Sequence, residues 1–315
     1  MKSYDVVAIG ELNADLVMTG LSSMPVPGRE IIARGMSLVL GSSTAICAAG
    51  MARLGLKTGF TGKIGRDAYG EVVRRSLGEY GVDLSRLLED ASLPTGLTVS
   101  LSTPGDRALV TCLGSIDRLC AEDVDLGLLN ETRHIHVGSF FLQSGLRPGL
   151  AGLFREAHKR GVTTSLDAGW DDTGKWDYGI REVLRHTDFF FPNESEALAI
   201  TEKASVPEAA EELATLCKTV AVKMGPKGAR LVSGCTVIEQ APYDTKPVDT
   251  TGAGDSFNAG FLYGFLTGRA PSLCLSLGNA CGSIAVTRIG GAAACPSLEE
   301  AESLMNGTFL TDLNK

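Results

Sequence analysis

The run Asp249-Thr250-Thr251-Gly252-Ala253-Gly254-Asp255 sets a carboxylate just after small, flexible residues, where a turn gives way to a helical pattern. Glycine lets a backbone approach a ligand closely because no Cβ stands in the way. A helix that begins there directs unpaired N–H groups and the positive end of its dipole at whatever lies in front, which favours an anion such as phosphate. A carboxylate beside a phosphate site is electrostatically unwelcome unless it handles a proton. Together the two features point to phosphoryl transfer. The alternative is an ordinary buried helix with Asp255 as a polar residue near its start.

Two better-known glycine motifs are excluded by spacing. A Walker loop needs Gly, four residues, then Gly-Lys-Ser/Thr. Around Gly62-Lys63, Lys57 stands at the first Gly position and Ile64 follows the lysine. The dinucleotide fingerprint needs a third Gly three residues after the second, and Phe257 stands there.

The elements that must position this turn are legible in the apolar pattern. Phe257, Phe261 and Phe265, with Leu262 and Leu266, form one stripe at helical period, ended by Gly268 and Pro271. Short apolar runs at 6–9, 135–137, 163–166, 189–191 and 220–223 read as strands; 45–54, 150–160 and 208–217 read as helices. Such alternation is the signature of an α/β fold with a mostly parallel sheet covered on both faces. His134 and His136 flank Ile135 and are expected on the outer face of their strand. Two further β-like runs, 97–102 and 107–113, are joined by Thr103-Pro104-Gly105-Asp106, a turn signal that predicts a hairpin. With the β-leaning stretch 31–40 it could build a small separate sheet, a flap suited to an enzyme that must exclude water. The alternative is a surface hairpin without function.

The whole chain fits this reading. Its 315 residues suit one large α/β domain, and 44% hydrophobic with 21% charged residues is ordinary for a globular enzyme. A formal net charge of −8 argues against nucleic acid or an anionic membrane surface as the partner. No stretch approaches the roughly 18 apolar residues of a membrane helix, and the start lacks a signal-peptide pattern. The eight cysteines contain no Cys-x-x-Cys pair, so reduced thiols in a cytoplasm are expected.

Several blocks together resemble the ribokinase-like carbohydrate kinases, the phosphofructokinase-B (PfkB) type. Residues 249–262 are similar to that family's C-terminal signature. Gly10 to Asp15 resembles its opening strand and turn, Gly41 to Gly55 its N-terminal glycine signature, Gly62 to Gly70 a further block, and Asn193-Glu194-Ser195-Glu196 its Asn-x-x-Glu element. The resemblance implies a three-layer α/β/α core in a single domain over 1–315, with a β-sheet lid formed within it by about 13–40 and 95–113. It implies transfer of the γ-phosphoryl of ATP to a hydroxyl of a sugar or sugar derivative. A nucleoside kinase of the adenosine type is the neighbouring reading, and a non-catalytic sugar- or nucleotide-binding protein a third.

The same resemblance assigns residues. Asp255 is the implied base, and the amides of Gly252, Ala253 and Gly254 the implied anion hole. Asn13, Asp15, Gly41, Ser42 and Ser43 fall where the family meets its substrate. Lys223, Gly225, Gly228, Gly254 and Asn279 match positions near the nucleotide. Asn193 and Glu196 would organise magnesium through water; the alternative for Glu196 is an acid at a helix N-terminus, favoured by the dipole. Asp249 and Thr251 match a monovalent-cation site, potassium in many relatives. A homodimer through the lid is a further expectation. The chain departs from the pattern twice: Gly41-Ser42 stands for the usual Gly-Gly, and Ile46 for an Asn that serves as a substrate ligand. An aliphatic side chain cannot replace an amide's hydrogen bonds, so D-ribose is not the expected substrate. Trp170 and Trp176, after Asp167-Ala168-Gly169, are expected to pack in the core or at the lip of the cleft.

Overall fold

A computed structural model describes residues 2–103 and 106–309. The apolar runs become strands β1 (Tyr4–Ile9), β2 (Asn13–Thr19), β3 (Gly35–Leu40), β4 (Thr58–Thr61), β5 (Lys63–Gly65), β6 (Leu88–Asp90) and β7 (Gly96–Thr103) in the first third. They continue as β8 (Asp106–Cys112), β9 (Thr132–Val137), β10 (Thr163–Leu166), β11 (Phe189–Phe190), β12 (Thr219–Lys223), β13 (Ala229–Ser233) and β14 (Thr236–Gln240). Eight of them form the central sheet in the order β14-β13-β12-β11-β10-β9-β1-β4. From β12 to β4 every neighbouring pair is parallel; β13 and β14 close the other edge as antiparallel strands.

Helices cover both faces, as a parallel sheet requires. One face buries Val7, Ile9, Ile135 and Val137 against Leu150 and Phe154 of the Arg147–Lys159 helix. The other buries Val6, Phe191 and Ala221 with Phe257, Phe261 and Leu262 of the Ala253–Leu266 helix, so the predicted stripe is that helix's core face. Pro271, expected as a stop, is the first residue of the next helix, Pro271–Ala285.

Double coverage also corrects one expectation. His134 and His136 are not on an outer face: both are buried, and the His134 ring packs against Phe189 and Phe265. Ser165 Oγ lies 2.7 Å from a His134 ring nitrogen and 2.8 Å from one of His136. Burial pushes their pKa values down to about 3 and about 4, which keeps the rings neutral.

A second, four-stranded sheet, β3-β2-β7-β8, stands apart from the central one. β2 runs parallel to β7, and β7 pairs antiparallel with β8 through Thr103 and Asp106. The expected hairpin therefore forms, with its turn residues Pro104 and Gly105 outside the described residues. Asn13 and Asp15 lie at the start of β2, not in a surface turn. Among the described residues no helix is long and apolar enough to cross a membrane.

Candidate active site

The C-terminal ends of the parallel strands converge on the start of the Ala253–Leu266 helix, the usual position for a ligand in an open α/β sheet. Glu11 and Asn13 follow β1, Asp167 follows β10, Asn193 follows β11, and Lys223 ends β12. Gly252 caps the helix with φ +73°, and a Cβ there would lie 2.8 Å from the Gly291 Cα. Only glycine meets both demands without strain. Asp255 then falls in the first turn.

Ser43 donates its hydroxyl hydrogen to the Asp255 carboxylate. Ser43 opens the Ser43–Arg53 helix, whose cap, Ser42, accepts from the Ala45 amide at 3.0 Å and donates to the Glu11 carbonyl at 2.6 Å. Burial, followed by the negative charge of Asp167, raises the Asp255 pKa to about 7, although Ser43 and Lys223 pull the other way. A carboxyl that titrates near neutrality can accept a proton and hold it.

Asp255 lines a cavity of about 500 Å³ between the two sheets. Asn13, Asp15, Ser42 and Ser43 line it too, so four of the expected substrate residues come together there. The Asn13 amide donates to Asp15 at 2.7 Å and to Thr98 at 3.2 Å, which fixes both polar groups. Gly41 backs this pair: its amide donates to the Asn13 carbonyl at 3.0 Å, and a Cβ would collide with the Asp15 carboxylate. Ile46 also lines the cavity, packed against Gly291. Asp249 and Thr251 belong to the same wall; Asp249 accepts from the Thr251 hydroxyl at 2.7 Å and from the Gly290 amide at 3.0 Å.

A second cavity of about 700 Å³ lies beyond the helix start. Lys223, Gly225, Gly228, Gly254 and Asn279 all line it, beside Tyr243 and Phe257. Asn279 donates to the carbonyls of Gln240 and Ala241, both at 3.2 Å, which ties its helix to the end of β14. The helix start is shared between the cavities. Gly252 and Asp255 face the first; Ala253 and Gly254 face the second.

Asn193 and Glu196 line neither cavity and form a reciprocal cap on the Glu194–Thr201 helix. Glu196 accepts from the Asn193 backbone at 2.8 Å and from its amide at 2.7 Å, and the Glu196 amide donates to Asn193 at 2.9 Å. Glu196 thus sits in the first turn of its helix, and the reciprocal cap with Asn193 goes beyond the sequence reading. Burial, then the charge of Asp167, raises the Glu196 pKa to about 8, so at neutral pH the carboxyl holds a proton that an approaching cation would displace. Among the described residues no three His, Cys, Asp or Glu side chains cluster as a metal cage. Magnesium does not need one, since it uses one or two carboxylates with waters and phosphates. The oxygen donors present fit it.

Three buried polar residues at the site lie outside the sequence assignment. Glu11 accepts from the Thr44 amide at 3.1 Å and from its hydroxyl. Asp167 and Asn258 bind each other at 2.7 Å and share Lys223. The available signal for Asp167 was its place directly after an apolar strand. Trp170 is exposed and meets Trp176 edge to face, and Trp176 packs on Phe141; neither lines either of these two cavities.

Residues 3–298 match a family model described as pfkB family carbohydrate kinase. An ATP-dependent ribose-1-phosphate kinase of Halopiger xanaduensis is 29% identical over 308 residues, covering 96% of this chain and 99% of that protein. The structure of an Arabidopsis thaliana ribokinase complexed with ribose and ATP superposes with a TM-score of 0.82 at 27% identity, over 96% of this chain and 99% of that one. The adenosine kinase of Sinorhizobium meliloti gives a TM-score of 0.82 at 26% identity, over 97% and 99%. The chain thus belongs to the pfkB family of carbohydrate kinases, phosphotransferases that act on hydroxyl groups.

Proposed function

We propose that the protein transfers the γ-phosphoryl group of ATP to a hydroxyl of a small sugar or sugar derivative held in the first cavity. One observation carries the reading: a single helix start separates two cavities, with a carboxyl toward one and glycine-rich backbone toward the other. The sugar hydroxyl gives its proton to Asp255 as its oxygen bonds to the γ-phosphorus. The bond from that phosphorus to the β–γ bridging oxygen breaks, and ADP leaves. The amides of Gly252, Ala253 and Gly254 stabilise the charge on the moving group, where positioned donors contribute most.

Asn13, Asp15, Gly41, Ser42 and Ser43 would orient the sugar, and Lys223, Gly225, Gly228 and Asn279 the nucleotide. Asn193 and Glu196 would hold magnesium through water, and Asp249 and Thr251 a monovalent cation such as potassium. Magnesium, when bound, neutralises phosphate charge. The four-stranded sheet serves as the lid within a single domain and as a dimer contact. ATP as co-substrate and eight unpaired cysteines suit a cytoplasmic enzyme. A nucleoside acceptor is the second reading, favoured by the apolar Ile46 and Ile289 in the cavity wall and by the likeness to an adenosine kinase.

ATP consumption over pentoses, hexoses, keto-deoxy sugar acids and nucleosides, with and without potassium, tests this. Turnover on a sugar supports the first reading and turnover on nucleosides alone the second. Binding without turnover on any acceptor overturns both.

A further inference from the structure

Lys223 is held in a closed triangle. Its ammonium donates to Asp167 Oδ2 at 2.5 Å and to Asn258 Oδ1 at 3.3 Å, and the Asn258 amide donates to the same Asp167 oxygen at 2.7 Å. The other Asp167 oxygen accepts from the Gly169 amide at 3.1 Å. The triangle joins the end of β10, the end of β12 and the first turns of the Ala253–Leu266 helix. Asp167 and Asn258 are buried, whereas Lys223 reaches the wall of the second cavity beside Gly254, where a Cβ would come within 3.4 Å of the ammonium.

An ammonium has three N–H donors. Two are committed to the triangle, which leaves one for a ligand in the second cavity. A lysine on a flexible stem ordinarily loses rotamer entropy when it binds phosphate. Here that freedom is already lost in the free protein. We propose that Asp167 and Asn258 are positioning residues: they fix Lys223 in the wall of the second cavity beside Gly254, its third donor aimed at the phosphates of the nucleotide, and so couple nucleotide binding to the helix start that carries Asp255. This rests on the kinase reading above.

The charges around Asp255 supply a readout that a merely structural role would not move. Glu11 faces it from beyond β1, Asp167 from beyond β10, and Lys223 from β12. Ser43 approaches from its own helix, Glu196 from its helix, and the thiols of Cys47 and Cys295 from either side; Asp249 shares the cavity wall. Lys223 is the one cation in this set. Asp167 raises the Asp255 pKa and Lys223 lowers it. Neutralising Asp167 should therefore lower the Asp255 pKa and move the acid limb of kcat/KM to lower pH.

The test uses Asp167→Asn, Asn258→Ala and the exchange D167N/N258D in the full chain, with the acceptor that the wild type turns over. Asp167→Asn should raise KM for ATP about tenfold, the worth of one charge-assisted hydrogen bond, leave KM for the acceptor within twofold, and shift the acid limb downward. Asn258→Ala should raise KM for ATP in the same sense. The exchange returns a carboxylate to Lys223 from the helix side and should restore KM for ATP. Unchanged KM for ATP with an unmoved acid limb overturns the proposal. So does loss of folded protein in both single variants without rescue by the exchange, which would make the triangle a folding element. Failure of the kinase reading itself shows differently, as a wild type that consumes no ATP.

Discussion

Asp255 combines a place at a helix start with a pKa near 7, well above the ordinary 3.8, caused by burial and by Asp167. Its carboxyl binds a proton more tightly in the folded protein than in the unfolded chain. The stability it supplies is complete below about pH 3.8 and is lost as pH rises through about 7. Asp255→Asn removes this dependence, so its melting temperature should exceed that of the wild type by more at pH 8 than at pH 5. Turnover should fall by about 10²–10⁴-fold or more, as for loss of a general base, with ATP still bound. Paired thermal melts and steady-state kinetics check both halves, and a variant with wild-type kcat ends the assignment. Ile46 carries a second prediction at this scale. Its side chain leaves a facing hydroxyl without a partner, a loss of about 1–3 kcal/mol, so D-ribose should rank low in a kinetic panel. Ribose as the best substrate would contradict it.

Between residue and fold, the device that matters is the turn at Gly252. It reverses the backbone at φ +73° and lets the start of the Gly291–Ala294 helix pass within contact distance. Gly252→Ala should cost about 1–2 kcal/mol from the left-handed backbone alone, and more from the collision with Gly291. The displaced helix start should lower kcat further than it lowers stability. Urea unfolding measured beside kcat decides this, and a variant unchanged in both refutes the turn's role. The Asn193–Glu196 cap belongs to the same scale. It ties a short helix to the strand end beside Lys223, through the backbone bond from the Lys223 amide to the Pro192 carbonyl at 2.9 Å.

For the whole molecule, the first cavity exists only because the four-stranded sheet stands over the strand ends of the central one. That sheet exposes Met36 and Val110, while Val17, Ser100, Leu109 and Thr111 line the cavity. Apolar surface of this kind is stabilised when a ligand or a second copy covers it. Backbone amides of β3, β7 and β8 should exchange more slowly with the acceptor bound, or be protected from the outset in a dimer. Unchanged hydrogen exchange in a protein shown by ultracentrifugation to be monomeric would overturn the proposed role of the sheet as lid and interface.

Sequence and structure divide along the line between local and through-space physics. Helical period, strand alternation, the glycine-Asp spacing at 252–255 and the Pro-Gly turn signal are set by neighbours in the chain. They sufficed for the α/β class, the Phe257–Leu266 stripe and the two strands about Thr103 and Asp106, whereas the candidate site residues were implied by the family resemblance. The short strands β4, β5 and β6 and the antiparallel pair β13 and β14 were not legible, because their pairing depends on partners distant in sequence. His134 and His136 were misplaced because a strand's alternation does not reveal that both sheet faces are covered. The union of Asp167 with Lys223 and Asn258, 56 and 91 residues away, depends on strand order and on how the Ala253–Leu266 helix packs on the sheet. The sequence by itself determined the α/β class and the helix start that sets Asp255 just behind Gly252 and Gly254. Tertiary structure decided which residues meet there and how burial and neighbouring charge tune them, since desolvation and Coulomb fields act across space rather than along the chain.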